Sequence, residues 1–266
     1  MASGRTIVIT GSTSGIGAAT ASLLRDGGDT VIGVDINEPG EGTVDQFVYM
    51  DQNDTASIDS AITKLSDGIY GVVNSAGVPP AERVPPAHVL RVNFYGLRNF
   101  TQKMLSKIVR GGAIVNLSSG AGMGWPQNID LLKEALAITD MQEVDSLAER
   151  HQIHTNGMDN LASYPLSKQL LIVWTATAYS FWQETGVRMN AVAPGAVATP
   201  ILDDFLTSFG KEAAARIAAI GTSNAEDVAL FVRFLLDPAY ELLNGATIPT
   251  ERGAITMGGL ARTGLI

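Results

Sequence analysis

Short apolar runs alternate with helix-length segments along most of the chain. The first run, TIVIT at 6–10, precedes a glycine-rich turn and a helical stretch over 16–25. Further strand-like runs lie at 30–34, 44–50, 71–74, 113–117, 188–193 and 246–248. Runs such as AIVNL at 113–117 are almost continuously apolar, which is typical of strands buried on both faces. The alternation predicts an α/β fold with one doubly wound parallel sheet and helices on both faces.

A separate helical pattern lies between the run at 113–117 and the next long helix. Segment 130–150 has apolar residues at helical intervals, at positions 131, 132, 136, 138, 141, 144 and 147. This spacing predicts one or two amphipathic helices. It leaves open whether their apolar face meets a substrate, a second subunit or the core of the same chain.

Composition limits the possible partners and compartments. The 266 residues are 45% hydrophobic, which suits one α/β domain, and the formal net charge of −9 opposes binding to nucleic acid and to anionic membranes. The uncharged segment 169–183 is too short to span a bilayer, and no secretory signal is predicted ahead of 6–10. The chain has no cysteine, so disulfides and thiolate chemistry are excluded and a cytoplasmic location is expected.

The glycine turn GSTSGIG at 11–17 lies between a predicted strand and a predicted helix. Gly11, Gly15 and Gly17 would let the backbone turn tightly and approach a pyrophosphate at the helix N-terminus. The spacing differs from the commoner GxGxxG pattern, so an ordinary turn is the alternative at this stage.

Asp35 ends the second predicted strand, 18 residues after Gly17. A carboxylate at this place can accept hydrogen bonds from an adenosine ribose. Neither 12–18 nor 36–38 contains lysine or arginine, so a 2′-phosphate would meet repulsion without a cationic partner. The pattern therefore predicts NAD rather than NADP, and the alternative is that Asp35 only caps a loop.

Tyr164 and Lys168 stand one helical turn apart in YPLSK. An ammonium at this spacing is predicted to lower the pKa of the phenol by about one or two units and to make it a usable proton donor. Without other motifs, two solvated neighbours on a helix would explain the pair equally well.

In order along the chain, the motifs resemble those of the short-chain dehydrogenase/reductase family over 10–201. The resemblance rests on TGSTSGIG at 10–17, NSAG at 74–77, VNFYG at 92–96, NLSSGAG at 116–122, YPLSK at 164–168 and PGAVATP at 194–200. It implies a single NAD-binding Rossmann domain over 1–266. It also implies a cofactor site at Gly11, Ser14, Gly15, Ile16, Gly17, Asp35, Ile36, Asp51, Gln52, Asn74, Ala76, Gly77, Tyr164, Lys168, Pro194, Gly195, Val197 and Thr199.

The resemblance implies a catalytic set of Asn93, Ser119, Tyr164 and Lys168. Ser119 would hold the substrate oxygen and Tyr164 would transfer its proton, while Lys168 would lower the Tyr164 pKa and bind the nicotinamide ribose. Asn93 would orient a water that links Lys168 to solvent. A helix-kink residue that bonds the backbone is the alternative for Asn93, and Ser118 is expected to bond the backbone.

Two departures from the family pattern concern the substrate side. Ser119 and Tyr164 are 45 residues apart, which predicts a helical insertion over 127–160, and the closing VDGG is replaced by PTERG at 249–253. The insertion is most similar to that of the 3-alpha-hydroxysteroid dehydrogenase/carbonyl reductase branch. We expect a mobile substrate lid over 198–222 and apolar substrate contacts at Met123, Trp125, Leu202, Phe205 and Leu206.

These features predict an enzyme that interconverts a hydrophobic secondary alcohol and its ketone, with a steroid, terpenoid or aromatic substrate. The alternatives are a non-catalytic NAD-binding sensor or assembly subunit, and an epimerase or dehydratase on a related fold. His151 and His154 lack an evident third ligand, so no metal is expected. Aromatic residues of the helix after Lys168, namely Trp174, Tyr179, Phe181 and Trp182, together with the resemblance, predict a homodimer or homotetramer.

Overall fold

Seven parallel strands form the central sheet of the described chain. The computed structural model describes residues 4–81, 83–255, 257–258 and 264–265. The strand order is β3-β2-β1-β4-β5-β6-β7, and every neighbouring pair is parallel. This arrangement confirms the predicted doubly wound sheet. The strands are β1 Thr6–Thr10, β2 Thr30–Asp35, β3 Gln46–Tyr49, β4 Ile69–Asn74, β5 Ile108–Leu117, β6 Arg188–Pro194 and β7 Thr247–Thr250.

Helices cover both faces of the sheet because successive strand residues point in opposite directions. Ile7 and Ile9 of β1 face one apolar cluster, and Val8 between them faces the other. Helices α1 and α10 lie over the first cluster, and α2 to α7 lie over the second. The helices are α1 Gly15–Asp26, α2 Thr55–Lys64, α3 Pro86–Leu90, α4 Leu97–Met104, α5 Ile129–Ala137, α6 Glu143–Arg150, α7 Ser163–Ala176, α8 Ala178–Thr185, α9 Leu202–Ile220 and α10 Ala225–Leu236.

The direction of winding reverses between β1 and β4, which are neighbours in the sheet. At such a reversal the loops after the strands separate and leave a crevice at the carboxyl ends of the strands. The glycine turn follows β1, NSAG begins at the end of β4, and the two serines follow β5. The topology therefore brings three separate sequence motifs to one edge of the sheet.

The segment between the serines and α7 forms two helices, α5 and α6, whose apolar face packs into the core of the same chain. Its buried residues include Leu131, Leu132, Ala135, Ile138, Val144 and Leu147. The Tyr95 hydroxyl donates to the carbonyl of Ala135 at 2.9 Å, and the Arg98 guanidinium donates to the carbonyls of Leu136 and Ile138. These bonds attach the segment to the helical layer that carries Asn93.

The aromatic residues expected at a subunit contact divide into two groups. Trp174 is buried and packs edge-on against Phe94 and Phe181, so both Trp174 and Phe181 contribute to the core. Tyr179 and Trp182 are exposed and stack on each other with ring centroids 6.1 Å apart. Across the described residues, no helix combines the length and apolarity needed to cross a bilayer.

Candidate active site

The glycine turn at 11–17 adopts a backbone that only glycine tolerates at two positions. Gly11 and Gly15 have φ of +68° and +52°, in the left-handed region. A Cβ on Gly11 would lie 2.6 Å from the Ala76 nitrogen, and one on Gly17 would lie 2.0 Å from the Gly11 carbonyl oxygen. Gly17 therefore lets α1 pack against the turn and does not itself line the cavity, whereas Gly11 and Gly15 do.

The N-terminus of α1 opens into the same cavity. Ser14 occupies the N-cap position without a side-chain capping bond, and the first turn of the helix contains no acidic residue. The first backbone N–H groups of a helix have no partner inside the helix, and they attract anions. Ser14, Gly15 and Ile16 line the cavity, so this end fits a phosphate group.

Asp35 fastens the glycine turn to β2 and also lines the cavity. Its Oδ2 accepts from the amide of Thr13 at 3.1 Å and from the Thr13 hydroxyl at 2.8 Å. Its Oδ1 accepts from the amide of Asn37 at 3.1 Å. A carboxylate offers about four acceptor positions, so these three bonds leave room for a ligand hydroxyl. Asp35 thus caps the loop, which was the alternative role considered for it. It also keeps a position that can accept a hydrogen bond from a ribose hydroxyl.

The neighbouring part of the cavity contains Ile36, Asp51, Gln52, Ala76 and Gly77. Gln52 is buried, with its Nε2 donating to the carbonyl of Val92 at 2.6 Å and its Oε1 without a hydrogen-bond partner within the described chain.

Asn74 does not line the cavity. Its Nδ2 donates to the Thr101 hydroxyl at 2.9 Å and to Oδ1 of Asn116 at 2.8 Å. It therefore joins β4, α4 and β5 behind the site.

Ser119, Tyr164 and Lys168 meet where β5 ends and α7 begins. The Lys168 Nζ donates to the carbonyl of Leu117 at 2.9 Å and lies 5.5 Å from the centroid of the Tyr164 ring. Ser118 is buried and donates to the carbonyl of Lys168 at 3.1 Å, which is the backbone bond expected of it. The Ser119 hydroxyl accepts from the amide of Ala121 at 3.2 Å, and Ser119 lines the same cavity as Tyr164 and Lys168.

The ionisation of this pair is governed by burial. Removal from water raises the pKa of Tyr164 to about 12, and the nearby Ser119 hydroxyl offsets this rise only in part. Burial lowers the pKa of Lys168 to about 8. Loss of hydration disfavours both charged forms and sets the direction of both pKa shifts. That Lys168 lowers the Tyr164 pKa stays a prediction.

Asn93 lies in a π-helical segment, Arg91–Gly96, between α3 and α4. Its Oδ1 accepts from the amide of Val78 at 2.8 Å, and its Nδ2 donates to the carbonyl of Val78 at 3.0 Å. The side chain is fully buried and does not line the cavity. The structure thus has the backbone-bonding geometry of the alternative, which holds the loop after β4 against the helix.

The whole cavity has a volume of about 790 Å³, and apolar side chains line the part near the Tyr164 ring. Met123, Leu202 and Phe205 line it, as do the predicted cofactor residues Pro194, Gly195, Val197 and Thr199. Trp125 and Leu206 do not line it. Trp125 packs against the core, and Leu206 lies about 100° around the helix from Phe205.

Phe209 and Met158 also line this part of the cavity and were not predicted. The ring of Phe205 lies edge-on to Tyr164 at a centroid distance of 4.7 Å, and that of Phe209 lies 6.0 Å away. Phe209 follows Phe205 by one helical turn, so helical spacing from Phe205 would have identified it. No sequence signal marks Met158, which lies in the irregular segment before α7.

The covering helix α9 is interrupted at Gly210, where φ is +84°. Its first half is attached to two loops at the edge of the cavity. The Ser208 hydroxyl donates to the carbonyl of Pro80, and the Gly157 amide donates to the carbonyl of Ser208 at 3.0 Å. The mobility of 198–222 stays a prediction.

The two histidines of the insertion each bind an acidic residue on the surface. His151 lies 2.8 Å from Glu134, and His154 lies 3.2 Å from Asp159. Within the described ranges, no group of three or more histidine and acidic residues is placed to hold a metal ion.

Known families and proteins match this chain over most of its length. A family model described as short chain dehydrogenase matches residues 5–129, and one described as Enoyl-(Acyl carrier protein) reductase matches residues 131–254. Coniferyl-alcohol dehydrogenase of a Pseudomonas species is 39% identical over 97% of this chain and 96% of its own length. The 3-alpha-hydroxysteroid dehydrogenase/carbonyl reductase of Comamonas testosteroni is 29% identical over 93% of this chain and 95% of its own length.

A solved structure is similar over the same extent. The crystal structure of the 3-alpha-hydroxysteroid dehydrogenase from a Pseudomonas species, complexed with NADH, superimposes with a TM-score of 0.80 and 29% identity. The match covers 97% of this chain and 99% of that one. The similarity therefore includes the whole sheet, the glycine turn and the segment between Ser119 and Tyr164.

The lowered pKa of Lys168 predicts a pH-dependent stability. The unfolded chain keeps this proton up to a pH near 10.5, whereas the folded chain without ligands releases it near 8. Between these values the unfolded state binds more protons, so the free energy of unfolding rises with pH, by about 3 kcal/mol for a change of this size. We expect the rise in the wild type and not in Lys168→Met, measured by urea unfolding between pH 7 and 10.

The matched control is Lys133→Met, at a lysine of α5 whose side chain is 74% exposed. This variant should keep the wild-type dependence. Parallel curves for the wild type and Lys168→Met over the same range would contradict the assignment. The raised pKa of Tyr164 opposes the rise only above pH 10, outside this range.

Proposed function

This chain belongs to the short-chain dehydrogenase/reductase family, and we propose that it interconverts a hydrophobic secondary alcohol and its ketone with NAD. Membership makes it a nicotinamide-dependent oxidoreductase of alcohol or carbonyl compounds, since its relatives are named dehydrogenases and reductases. The observation that carries the proposal is the convergence of Ser119, Tyr164 and Lys168 in the cavity that also contains the glycine turn and Asp35.

In the proposed mechanism, the chain binds the reacting oxygen and moves one proton. During ketone reduction, the Ser119 hydroxyl donates a hydrogen bond to the substrate oxygen, and the Tyr164 Oη gives that oxygen its proton. The raised pKa of Tyr164 suits this direction because it keeps the phenol protonated near neutrality. Alcohol oxidation reverses the transfer, and the Lys168 ammonium then stabilises the phenolate that accepts the proton.

The nicotinamide cofactor, when bound, supplies the hydride acceptor or donor. We assign its phosphates to the turn of Gly11 and Gly15, with the N-terminus of α1, and its adenosine ribose to Asp35. The adenine would lie near Ile36, Asp51 and Gln52. The carboxamide group would lie near Val197 and Thr199, and Lys168 would bind the nicotinamide ribose.

The apolar wall beyond Tyr164 supports a hydrophobic substrate. Phe205 and Phe209 face the phenol from α9, and Met123 and Met158 complete the wall. Aromatic, terpenoid and steroid alcohols share this character, and two relatives are named for a coniferyl alcohol and a 3-alpha-hydroxysteroid.

We also propose that 198–222 is a lid that opens at Gly210, which substrate-dependent hydrogen exchange in this segment would test.

A panel of secondary alcohols and ketones tests the function. We expect NAD-dependent turnover of at least one steroid, terpenoid or aryl alcohol, followed by the absorbance of NADH, with coniferyl alcohol added because of the relative named for it. Tyr164→Phe should bind NAD like the wild type and lose about a hundredfold or more of turnover, since it keeps the ring and removes the proton.

Tyr179→Phe is the matched control, because it removes the hydroxyl of an exposed tyrosine outside the cavity and should leave turnover unchanged. Tight NAD binding with no turnover of any compound would favour the non-catalytic NAD-binding sensor or assembly subunit. Full activity of Tyr164→Phe would reject the proton-transfer role while leaving the reaction class intact.

We further propose that Asp35 selects NAD against NADP. Its carboxylate would accept from a ribose hydroxyl and repel a 2′-phosphate. In Asp35→Asn, which keeps an acceptor for Thr13, the ratio of NADP to NAD dissociation constants should fall about tenfold. Titration calorimetry measures both constants, and Asp67→Asn, at a side chain that is 84% exposed, should keep the wild-type ratio. An unchanged ratio in Asp35→Asn would leave Asp35 as a loop cap alone.

We propose a homodimer or homotetramer as the assembled form. Strand β7 lies at an edge of the sheet, and Leu230 and Phe231 of α10 are 47% and 42% exposed. Tyr179 and Trp182 of α8 form a second exposed apolar pair. Water-exposed apolar groups and an unpaired strand edge favour association. Multi-angle light scattering at micromolar concentration should give a mass of two or four chains, and a monomeric mass would contradict this proposal.

A further inference from the structure

Four side-chain amides gather where the insertion meets α7, at one end of the cavity. Asn128 precedes α5, Asn160 precedes α7, Gln169 follows Lys168 on α7, and Gln127 ends the turn after the serines. We call Gln127, Asn128, Asn160 and Gln169 the carboxamide cluster. The mechanism proposed above uses none of them.

The buried member of the cluster orients the others. Gln169 is 1% exposed, and its Oε1 accepts from the Asn128 Nδ2 at 2.8 Å. Its Nε2 donates to the Asn160 Oδ1 at 3.0 Å. The Asn128 Nδ2 also donates to the carbonyl of Asn160 at 3.0 Å. Two of the amides are thereby held in place by a side chain on the same helix as Tyr164 and Lys168.

The bonding leaves hydrogen-bonding capacity unused on the partly exposed Asn160 and the exposed Gln127. An amide has two N–H donors and one acceptor oxygen. The Asn160 Nδ2 has one contact in the described chain, 3.5 Å from the carbonyl of Gln127, which is too long for a strong bond. The Gln127 side-chain amide forms no hydrogen bond to any described residue. Asn160 and Gln127 both line the cavity, whereas Asn128 and Gln169 do not.

These two amides converge beside Gly124, which also lines the cavity. A Cβ on Gly124 would lie 3.6 Å from the Gln127 Oε1 and 3.7 Å from the Asn160 Oδ1. The absence of that side chain leaves space next to both groups. A few polar groups converging in an otherwise apolar pocket are what fixes the orientation of a ligand.

The number of residues between Asn160 and Tyr164 limits the distance from the carboxamide cluster to the reacting centre. Asn160 precedes Tyr164 by four residues, so their Cα atoms are at most about 14 Å apart. Apolar side chains of Met123, Met158 and Phe205 line the same cavity. A ligand in contact with both Tyr164 and Asn160 therefore needs an apolar body with a polar group at its far end.

The amide side chains of the carboxamide cluster favour a ligand group that is polar and uncharged. Amides donate and accept hydrogen bonds, but they do not compensate a buried ionic charge. The nearest carboxylate in the sequence, Asp159, bonds His154 and the amide of Leu161 and does not line the cavity.

We propose that Asn160 and Gln127 are specificity-determining residues that bind a neutral hydroxyl on the ring of the substrate, at the end opposite to the reacting carbon. This inference rests on the proposed function, because it takes Tyr164 as the reacting end. It narrows the substrate class to hydroxylated aromatic or alicyclic compounds.

Ligand binding to the protein saturated with NAD tests the inference. A ketone cannot be reduced by NAD, so titration calorimetry at neutral pH compares acetophenone with 4-hydroxyacetophenone without turnover. One neutral hydrogen bond should favour the hydroxylated ketone in the wild type by about five- to tenfold. We expect this preference to fall to about twofold or less in Asn160→Ala and to decrease in Gln127→Ala.

Gln183→Ala is the matched control, because Gln183 is an exposed amide on α8 outside the cavity and should keep the wild-type preference. Equal affinities of the two ketones for the wild type, undetectable binding of the hydroxylated ketone, or an unchanged preference in both cluster variants would overturn the inference. Circular dichroism of Asn160→Ala checks that α7 is retained, and Gln127→Ala supplies a second variant whose side chain bonds no described residue.

Different measurements would contradict the proposed enzyme activity and the proposed hydroxyl-binding subsite. A cluster-dependent preference without turnover of any alcohol would support the subsite and reject the enzyme. Turnover of aryl alcohols without a cluster-dependent preference would support the enzyme and reject the subsite.

Discussion

The site depends on the direct contact between α7 and the loop that leaves β5. Gly122 in that loop has no room for a side chain, since a Cβ there would lie 2.6 Å from the carbonyl carbon of Lys168. The Ser118 hydroxyl donates to the carbonyl of Lys168, and the Lys168 ammonium donates to the carbonyl of Leu117. The lysine is therefore bonded from both its backbone and its side chain to the end of one strand. This contact sets the distance between Ser119 and Tyr164.

The same contact carries an electrostatic cost. Burial disfavours the phenolate form of Tyr164 and the ammonium form of Lys168. It therefore raises the pKa of Tyr164 and lowers the pKa of Lys168. The phenol therefore keeps its proton near neutral pH, which suits the proton-donor role proposed for Tyr164. The acidic side chains Asp35 and Asp51 lie at the other end of the cavity, next to the glycine turn. The cavity is also lined by the charged residues Arg216 and Glu251.

The insertion serves the core and the cavity together. Its apolar side chains fill the space over α4 and α7, and the Arg98 guanidinium binds carbonyls at the end of α5. Its two ends, at Asn128 and Asn160, meet Gln169 of α7. A change in the packing of α5 would therefore reach the wall of the cavity through a short chain of hydrogen bonds. The insertion thus packs in the core while its end residues Gln127 and Asn160 line the cavity.

Local patterns in the sequence were sufficient to predict the strands, the glycine turn, the YxxxK pair and the helical insertion, because backbone geometry and side-chain periodicity are local properties. Helical spacing could not decide which surface the insertion contacts, and the structure places it in the core of the same chain. Asn74 and Gly17 were expected to contact the cofactor and Asn93 to orient a water, yet none of the three lines the cavity. Asn74 bonds the side chains of Thr101 and Asn116, whereas Asn93 and Gly17 contact the backbone of Val78 and Gly11. The pKa of Tyr164 depends on how much water the folded chain removes, and the carboxamide cluster joins residues up to 42 positions apart, from Gln127 to Gln169. Only tertiary packing sets these properties, since burial and distance in space are not written in the spacing of residues.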